Sequence, residues 1–155
     1  MNKKILLVYF ATLFGILVFI GLIFLAPYFN NRSSILGNII YLVFSPLCHQ
    51  NASRCFYFLG YPLAVCARCL GIYIGFMLGT FLYPAVRGFS SIYLPQTKLF
   101  LCLSAPVVLD TLGNFLLIWS TPGWIRFVFG LTWGWILPFY FITGVVDFLD
   151  SRNRR

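Results

Sequence analysis

The chain has 155 residues, of which 61% are hydrophobic, 20% aromatic and only 9% charged. Soluble domains carry about 25% charged residues, so this composition excludes a soluble enzyme. The mean hydropathy of +0.91 predicts an all-α protein that lies in a lipid bilayer and crosses it several times. The formal net charge of +8 does not indicate a nucleic-acid partner, because the Lys and Arg residues are scattered or terminal and form no basic face.

Four apolar segments are each long enough, or nearly so, for a membrane-spanning helix. They cover residues 5–29, 70–86, 99–118 and 125–146, and we expect them to form a single transmembrane domain over 1–155. A further apolar stretch at 35–47 is about 13 residues long and contains Pro46. That length predicts a short re-entrant or interfacial helix and not a fifth crossing.

Basic residues precede the first segment, separate the second from the third, and follow the fourth. They are Lys3, Lys4, Arg87, Lys98, Arg152, Arg154 and Arg155. With four crossings and both termini in the cytoplasm, all of them lie on the cytoplasmic side, as the positive-inside rule requires. The charges therefore predict a multi-pass protein of the inner (plasma) membrane whose loop at 48–69 faces outward.

Small residues recur at helical spacing in two of the segments. Gly71, Gly75 and Gly79 share one face of the second segment, and Gly130 and Gly134 share a face of the fourth. Such faces let helix backbones approach closely in lipid. We expect them to pack helices within one chain, with a homodimer through a glycine face as the alternative.

The reactive side chains are concentrated in the loop at 48–69, which holds four of the five cysteines and the single histidine. Cys66 and Cys69 have the spacing of a metal knuckle, and Cys48 and His49 would complete a tetrahedral site. Sulfur and imidazole ligands together suggest zinc, with copper as the alternative ion. Cys102 lies apart in the third segment, where we expect a buried packing residue.

Two other functions fit the same cysteines. Cys66 and Cys69 at the start of a helix would also suit thiol–disulfide exchange, since the helix dipole and Arg68 favour a thiolate. The third alternative is a scaffold subunit whose outward loop is stapled by disulfides and which has no catalytic role. The sequence leaves open whether the protein is an enzyme, because a metal site with one position held by water would also support hydrolysis.

Polar residues within the last two segments extend the predicted site. Asp110 lies well inside the third segment, where an ionisable side chain requires a partner. Asn114 follows one turn later on the same face, and Arg126 begins the fourth segment within reach of Asp110. We expect either a structural Asp110–Arg126 ion pair, or a carboxylate that orients a metal ligand or transfers a proton.

The ordered motifs of the loop give the chain a family resemblance. Cys-His-Gln at 48–50, Arg-x-Phe from Arg54 and Cys-Ala-Arg-Cys-x-Gly-Ile-Tyr from Cys66 resemble the signature of small prokaryotic membrane proteins grouped as a domain of unknown function. The resemblance extends from Cys48 to about Arg126 and is looser at Asp110, Asn114, Arg126 and Gly130. It implies that the loop and the outer halves of the last two spans form one site, and that Cys55 is the least secure ligand. It implies no particular activity or substrate.

Overall fold

The computed structural model describes residues 3–32, 35–87 and 97–152. Within them, five α-helices follow one another: α1 (Lys3–Asn31), α2 (Ile35–Phe44), α3 (Ala67–Arg87), α4 (Thr97–Phe115) and α5 (Gly123–Arg152). A 3₁₀ helix (Ala52–Arg54) and a hairpin of β1 (Tyr57–Phe58) and β2 (Tyr61–Pro62) lie between α2 and α3. Arg154 and Arg155 of the predicted cytoplasmic cluster lie outside the described residues.

Three of these helices, α1, α3 and α5, are long and apolar enough to cross a membrane. The helix α4 corresponds to the predicted span at 99–118. Its apolar part, Phe100–Phe115, is shorter than the apolar helices α1, α3 and α5. The predicted short helix is α2, which ends at Phe44 just before Ser45 and Pro46. The predicted helical architecture is thus confirmed, and three of the helices are long and apolar enough to span a membrane.

The end of α4 is fixed by its own backbone. Leu117 has a φ of 57°, and the N–H of Ile118 donates to the carbonyl of Gly113 at 3.0 Å. This is the left-handed residue and six-to-one hydrogen bond of a Schellman cap, which stops a helix. The helix therefore ends at Phe115, three residues before the predicted boundary, although the sequence remains apolar as far as Trp119.

The helices α3 and α5 form the main contact of the bundle, and glycines from both helices lie in it. A Cβ atom at Gly75 would lie 2.3 Å from the carbonyl oxygen of Leu131, and one at Gly134 would lie 2.2 Å from that of Ile72. The two backbones thus touch along several turns, as small residues permit in lipid. A homodimer that used these glycines would have to displace the α3–α5 contact.

The two ends of the bundle differ in chemistry. At one end, the start of α1 packs against the ends of α3 and α5 through Ile5, Tyr83 and Val146, and Lys4 pairs with Asp150 at 2.5 Å. At the other end, a second apolar cluster surrounds Cys48. The start of α1 and the end of α5 therefore lie at the same end of the bundle, opposite the loop cysteines.

The loop between α2 and α3 is folded onto the second end. The hairpin turns at Leu59 and Gly60, whose φ values of 54° and 82° give the two left-handed residues of a type I′ turn. After it, the consecutive residues Leu63, Ala64 and Val65 are buried in the apolar cluster. This buried segment leads directly into Cys66 and the start of α3.

Candidate metal centre and arginine network

Three of the predicted ligands come together in the structure. The Sγ atoms of Cys48, Cys66 and Cys69 all lie within 4.8 Å of one another. Cys48 is buried, and the other two are partly buried. Around a tetrahedral zinc with Zn–S bonds of about 2.3 Å, sulfur atoms lie about 3.8 Å apart. A contraction of an ångström or less would therefore bring this group to the spacing of a metal-bound cluster.

The three sulfurs come from two local structures, the start of α3 and the segment after α2. Cys69 lies in the first turn of α3, and Cys66 is the residue just before that helix. The carbonyl of Cys66 accepts the N–H of Leu70 at 2.9 Å. Cys48 follows α2 and receives the backbone N–H of Cys66 on its sulfur at 3.1 Å. Backbone N–H groups that point at a sulfur stabilise a thiolate.

The segment that carries Cys48 is tied down by two polar side chains. Gln50 donates from Nε2 to the carbonyls of Tyr41 and Ala64, at 2.7 and 2.9 Å. The hydroxyl of Tyr41 donates in turn to the carbonyl of Pro62. These bonds join α2, the segment after it and the hairpin into one unit. Sequence reasoning missed this role, although Gln50 stands beside two predicted ligands.

The remaining cysteines and the histidine lie outside the sulfur cluster. His49 is exposed, because its neighbours Cys48 and Gln50 both turn inward. Cys55 donates its thiol to the carbonyl of Asn51 at 3.2 Å. Cys102 is exposed on α4, so the expectation of a buried packing residue is wrong. All five cysteines lie in the described part of the chain, and each is a free thiol.

Three loop cysteines have shifted pKa values, one lowered and two raised. Hydrogen bonds from the Cys66 and Cys69 thiols and from backbone N–H groups lower the pKa of Cys48 well below its usual value. Burial, with the nearby sulfurs of Cys66 and Cys48, raises the pKa of Cys55 to about 12. Hydrogen bonds to the sulfurs of Cys48 and Cys66 raise the pKa of Cys69, so negative charge is favoured on Cys48 and disfavoured on both Cys55 and Cys69.

Arg68, one of the two residues between Cys66 and Cys69, belongs to a polar network that connects α3 with α4. Its guanidinium forms an ion pair with the buried carboxylate of Asp110 on α4. Asn114 donates from Nδ2 to Oδ1 of Asp110 at 2.9 Å, and the hydroxyl of Thr121 donates to the same oxygen. The carboxylate is thus held by three side chains, one of them charged. Sequence reasoning missed Thr121, which follows the polar residue Ser120 in the turn after α4.

Of the two alternatives for Asp110, the ion pair with Arg126 is not formed. Arg126 donates from Nη2 to Oδ1 of Asn114 at 2.6 Å, one helical turn away from the carboxylate. Arg68, at the start of α3, instead donates from Nη2 to the other carboxylate oxygen, Oδ2. The structure therefore brings Asp110, Asn114 and Arg126 into one network, but with Arg68 as the ion-pair partner.

Comparison with known proteins places these residues within one family. A family model described as "predicted membrane protein", the domain of unknown function DUF2085, matches residues 48–140, from Cys48 to beyond Arg126. The chain belongs to this family. An uncharacterised protein of Methanocaldococcus jannaschii is 31% identical over 140 residues, which cover 86% of this chain and 90% of the relative. No solved structure matches the chain.

The region that matches the DUF2085 family model can be assigned to particular helices of this chain. It begins at Cys48, so α1 and α2 lie outside it, whereas α3, α4 and most of α5 lie inside. The sulfur cluster and the Arg68–Asp110 network both fall within the family region. The membrane-protein description agrees with the long apolar helices.

Proposed function

We propose that this DUF2085 protein binds a soft metal ion at one end of its helix bundle, through Cys48, Cys66 and Cys69. The single observation that carries the proposal is the proximity of the three sulfur atoms, all within 4.8 Å of one another. Two of them come from one helix start and the third from a separate segment, so the tertiary fold and not local sequence assembles the group. Zinc is the first candidate ion and copper the second, because thiolates select both.

The fourth coordination position distinguishes a structural site from a reactive one. If His49 turns inward and binds, four protein ligands close the site and the ion stabilises the fold. If His49 stays at the surface, as in the present geometry, the fourth position remains available to water or to a substrate ligand. An ion with an open position supplies a Lewis acid that activates water for hydrolysis.

Asp110, Asn114 and Arg126 are proposed to act on this site through Arg68. The carboxylate of Asp110 pairs with the Arg68 guanidinium, and Arg68 is the residue next to Cys69 in the first turn of α3. Fixing Arg68 therefore restricts the turn that presents two of the three sulfurs. Partners that hold a ligand-bearing element in place tune metal affinity, typically by 10–100-fold.

We also propose that α4 crosses the membrane as the fourth span, with both termini cytoplasmic and the sulfur cluster on the outer side. Two observations support this arrangement: Lys4 of α1 pairs with Asp150 of α5, and the cysteines lie at the opposite end. The Lys and Arg residues predicted to be cytoplasmic then follow the positive-inside rule.

A metal titration of cysteine variants tests the metal site. Protein purified in detergent without chelator is analysed for bound metal and then titrated with Co²⁺, whose thiolate complexes have intense charge-transfer absorption. Cys48→Ser, Cys66→Ser and Cys69→Ser should each abolish the stoichiometric ion and lower the thermal midpoint, since metal binding energy is also folding energy. Cys55→Ser and Cys102→Ser are the matched controls and should bind like the wild type.

A further variant and a thiol assay complete the test. His49→Ala should retain the ion if the fourth position is open and lose affinity if it is closed. A wild-type protein without metal, whose cluster thiols react with alkylating agents only after reduction, would contradict the metal site and favour the disulfide alternatives. Equal metal loss in the Cys55→Ser control would also contradict it.

A further inference from the structure

A cavity of about 510 Å³ lies between the loop around Arg54 and the turn that joins α4 to α5. The side chains of Ser53 and Arg54 line one wall, and Asn114, Thr121 and Arg126 line the other. Among the described residues that line this cavity, none is acidic. It is therefore a polar space with two guanidinium groups and no carboxylate.

The guanidinium of Arg126 is buried and forms no ion pair with any residue that the structure describes. The residue is 8% exposed, and its side chain donates to the neutral amide of Asn114. Its Nε atom has no hydrogen-bond partner among the described residues. A buried charge of this kind is unfavourable unless an opposite charge and additional acceptors compensate it.

The chain itself has no carboxylate left for this purpose. It contains three acidic residues in all. Asp147 and Asp150 lie near the far end of α5, and Asp110 already holds Arg68 with one carboxylate oxygen. Arg54 and Arg68 are each close enough to Arg126 to repel its charge, and Asp110 is the nearby carboxylate. Three cations at this end of the bundle thus face a single carboxylate.

The backbone adds positive potential to the same cavity. The 30-residue helix α5 begins at Gly123, which lines the cavity beside Pro122. The first N–H groups of a helix have no partner within the helix and carry partial positive charge. Anions bind at such helix starts, and a planar guanidinium matches two oxygens of a phosphate or carboxylate.

We infer that this cavity is a binding site for an oxyanion of the phosphate class, held by Arg54, Arg126 and the start of α5. The anion supplies the charge that Arg126 lacks within the protein. Free inorganic phosphate and the phosphodiester of an anionic lipid headgroup both present this chemistry. The site is separate from the sulfur cluster and does not require a metal ion.

Two arms of one experiment test the site and separate the two sources. In detergent, the thermal midpoint of the full chain is measured with inorganic phosphate and with chloride at equal ionic strength. In lipid nanodiscs, it is measured with phosphatidylglycerol and with phosphatidylcholine. Stabilisation by phosphate in detergent supports the free anion; stabilisation by phosphatidylglycerol alone supports the lipid headgroup.

Variants connect the stabilisation to the cavity. Arg54→Gln removes one exposed guanidinium and should weaken the affinity for the stabilising anion about tenfold, because hydrogen bonds to charged groups are strong. Arg32→Gln is the matched control: it removes an exposed arginine beside Tyr28 that does not line the cavity, and should bind like the wild type. Arg126→Lys retains the charge but not the bidentate geometry and should also weaken binding.

The inference is overturned if neither phosphate nor phosphatidylglycerol stabilises the wild type. It is also overturned if Arg54→Gln and Arg32→Gln reduce the stabilisation equally, because the effect would then be one of net charge. Since Arg54 is exposed, its variant should fold even where Arg126 variants do not.

Discussion

Arg68 on α3 holds the carboxylate of Asp110 on α4, whereas Arg126 on α5 donates to the amide of Asn114. The side chains of Arg68 and Asp110 are 18% and 5% exposed, so the ion pair is largely removed from solvent. This pair is a charged contact between α3, which contains Cys69 and begins just after Cys66, and α4. Its energetics can therefore be measured independently of any ligand.

Removal of one charge from this pair should cost more than removal of both. Asp110→Asn or Arg68→Gln leaves an uncompensated buried charge, and breaking such a pair costs about 3–5 kcal/mol. The double variant should recover part of that loss, with a coupling energy of roughly 1–3 kcal/mol. Chemical unfolding in detergent measures the four free energies, and Asp147→Asn, at an exposed carboxylate of α5, is the control. Strictly additive losses would contradict the pairing.

The glycine contact predicts a position-dependent effect of adding one methyl group. Gly75→Ala places a Cβ 2.3 Å from the carbonyl oxygen of Leu131, so α3 and α5 must separate. We expect the free energy of unfolding to fall by about 1–3 kcal/mol, which is the usual cost of overpacking.

The matched control lies on another helix. Gly21→Ala in α1 meets no atom within 4 Å and should be neutral or slightly stabilising, because alanine is the better helix former. Thermal unfolding followed by circular dichroism compares the two variants. Equal stability would show that the α3–α5 approach is less close than described.

The raised pKa of Cys55 predicts an unusual pH dependence of its alkylation. Burial is the main cause of the pKa of about 12, and the nearby sulfurs of Cys66 and Cys48 contribute. Because the thiolate is the reactive form, Cys55 stays neutral and slow to react below that pH. Its rate should rise about tenfold per pH unit from pH 7 to about 10, without reaching a plateau.

Mass spectrometry of the Cys55 peptide after timed alkylation gives the rate. The control is a synthetic peptide of residues 51–56, which has the same neighbours and no burial, and should approach its plateau near the ordinary thiol pKa of about 8.5. A plateau at the same pH in protein and peptide would refute the prediction.

The proposed orientation can be tested with reporters of membrane topology. A reporter fused to the C-terminus should be cytoplasmic, and one inserted near Asn51 should be external, because the positive-inside rule places the basic residues of the chain ends inside. We expect an insertion at Asn51 to be tolerated, since the residue is exposed at the start of the short 3₁₀ helix. A cytoplasmic reporter at Asn51 would reverse the orientation and place the sulfur cluster in a reducing compartment.

The sequence alone was sufficient for much of the fold. The apolar segments located α1, α3, α4 and α5 to within a few residues, and the short stretch ending near Pro46 located α2. Segment length and hydropathy are local properties, and a helix in lipid must satisfy its own backbone hydrogen bonds. The concentration of cysteines in one loop was equally visible, and three of the four predicted ligands lie together.

Partner choice was decided by the tertiary structure. The sequence suggested Arg126 as a partner of Asp110, but only the packing of the helices determines which guanidinium reaches the carboxylate. In the same way, the inward turns of Cys48 and Gln50 leave His49 at the surface. Residue spacing fixes the position of a side chain along its own helix. Its partners depend on how the backbones pack, which is set by contacts between residues far apart in the chain.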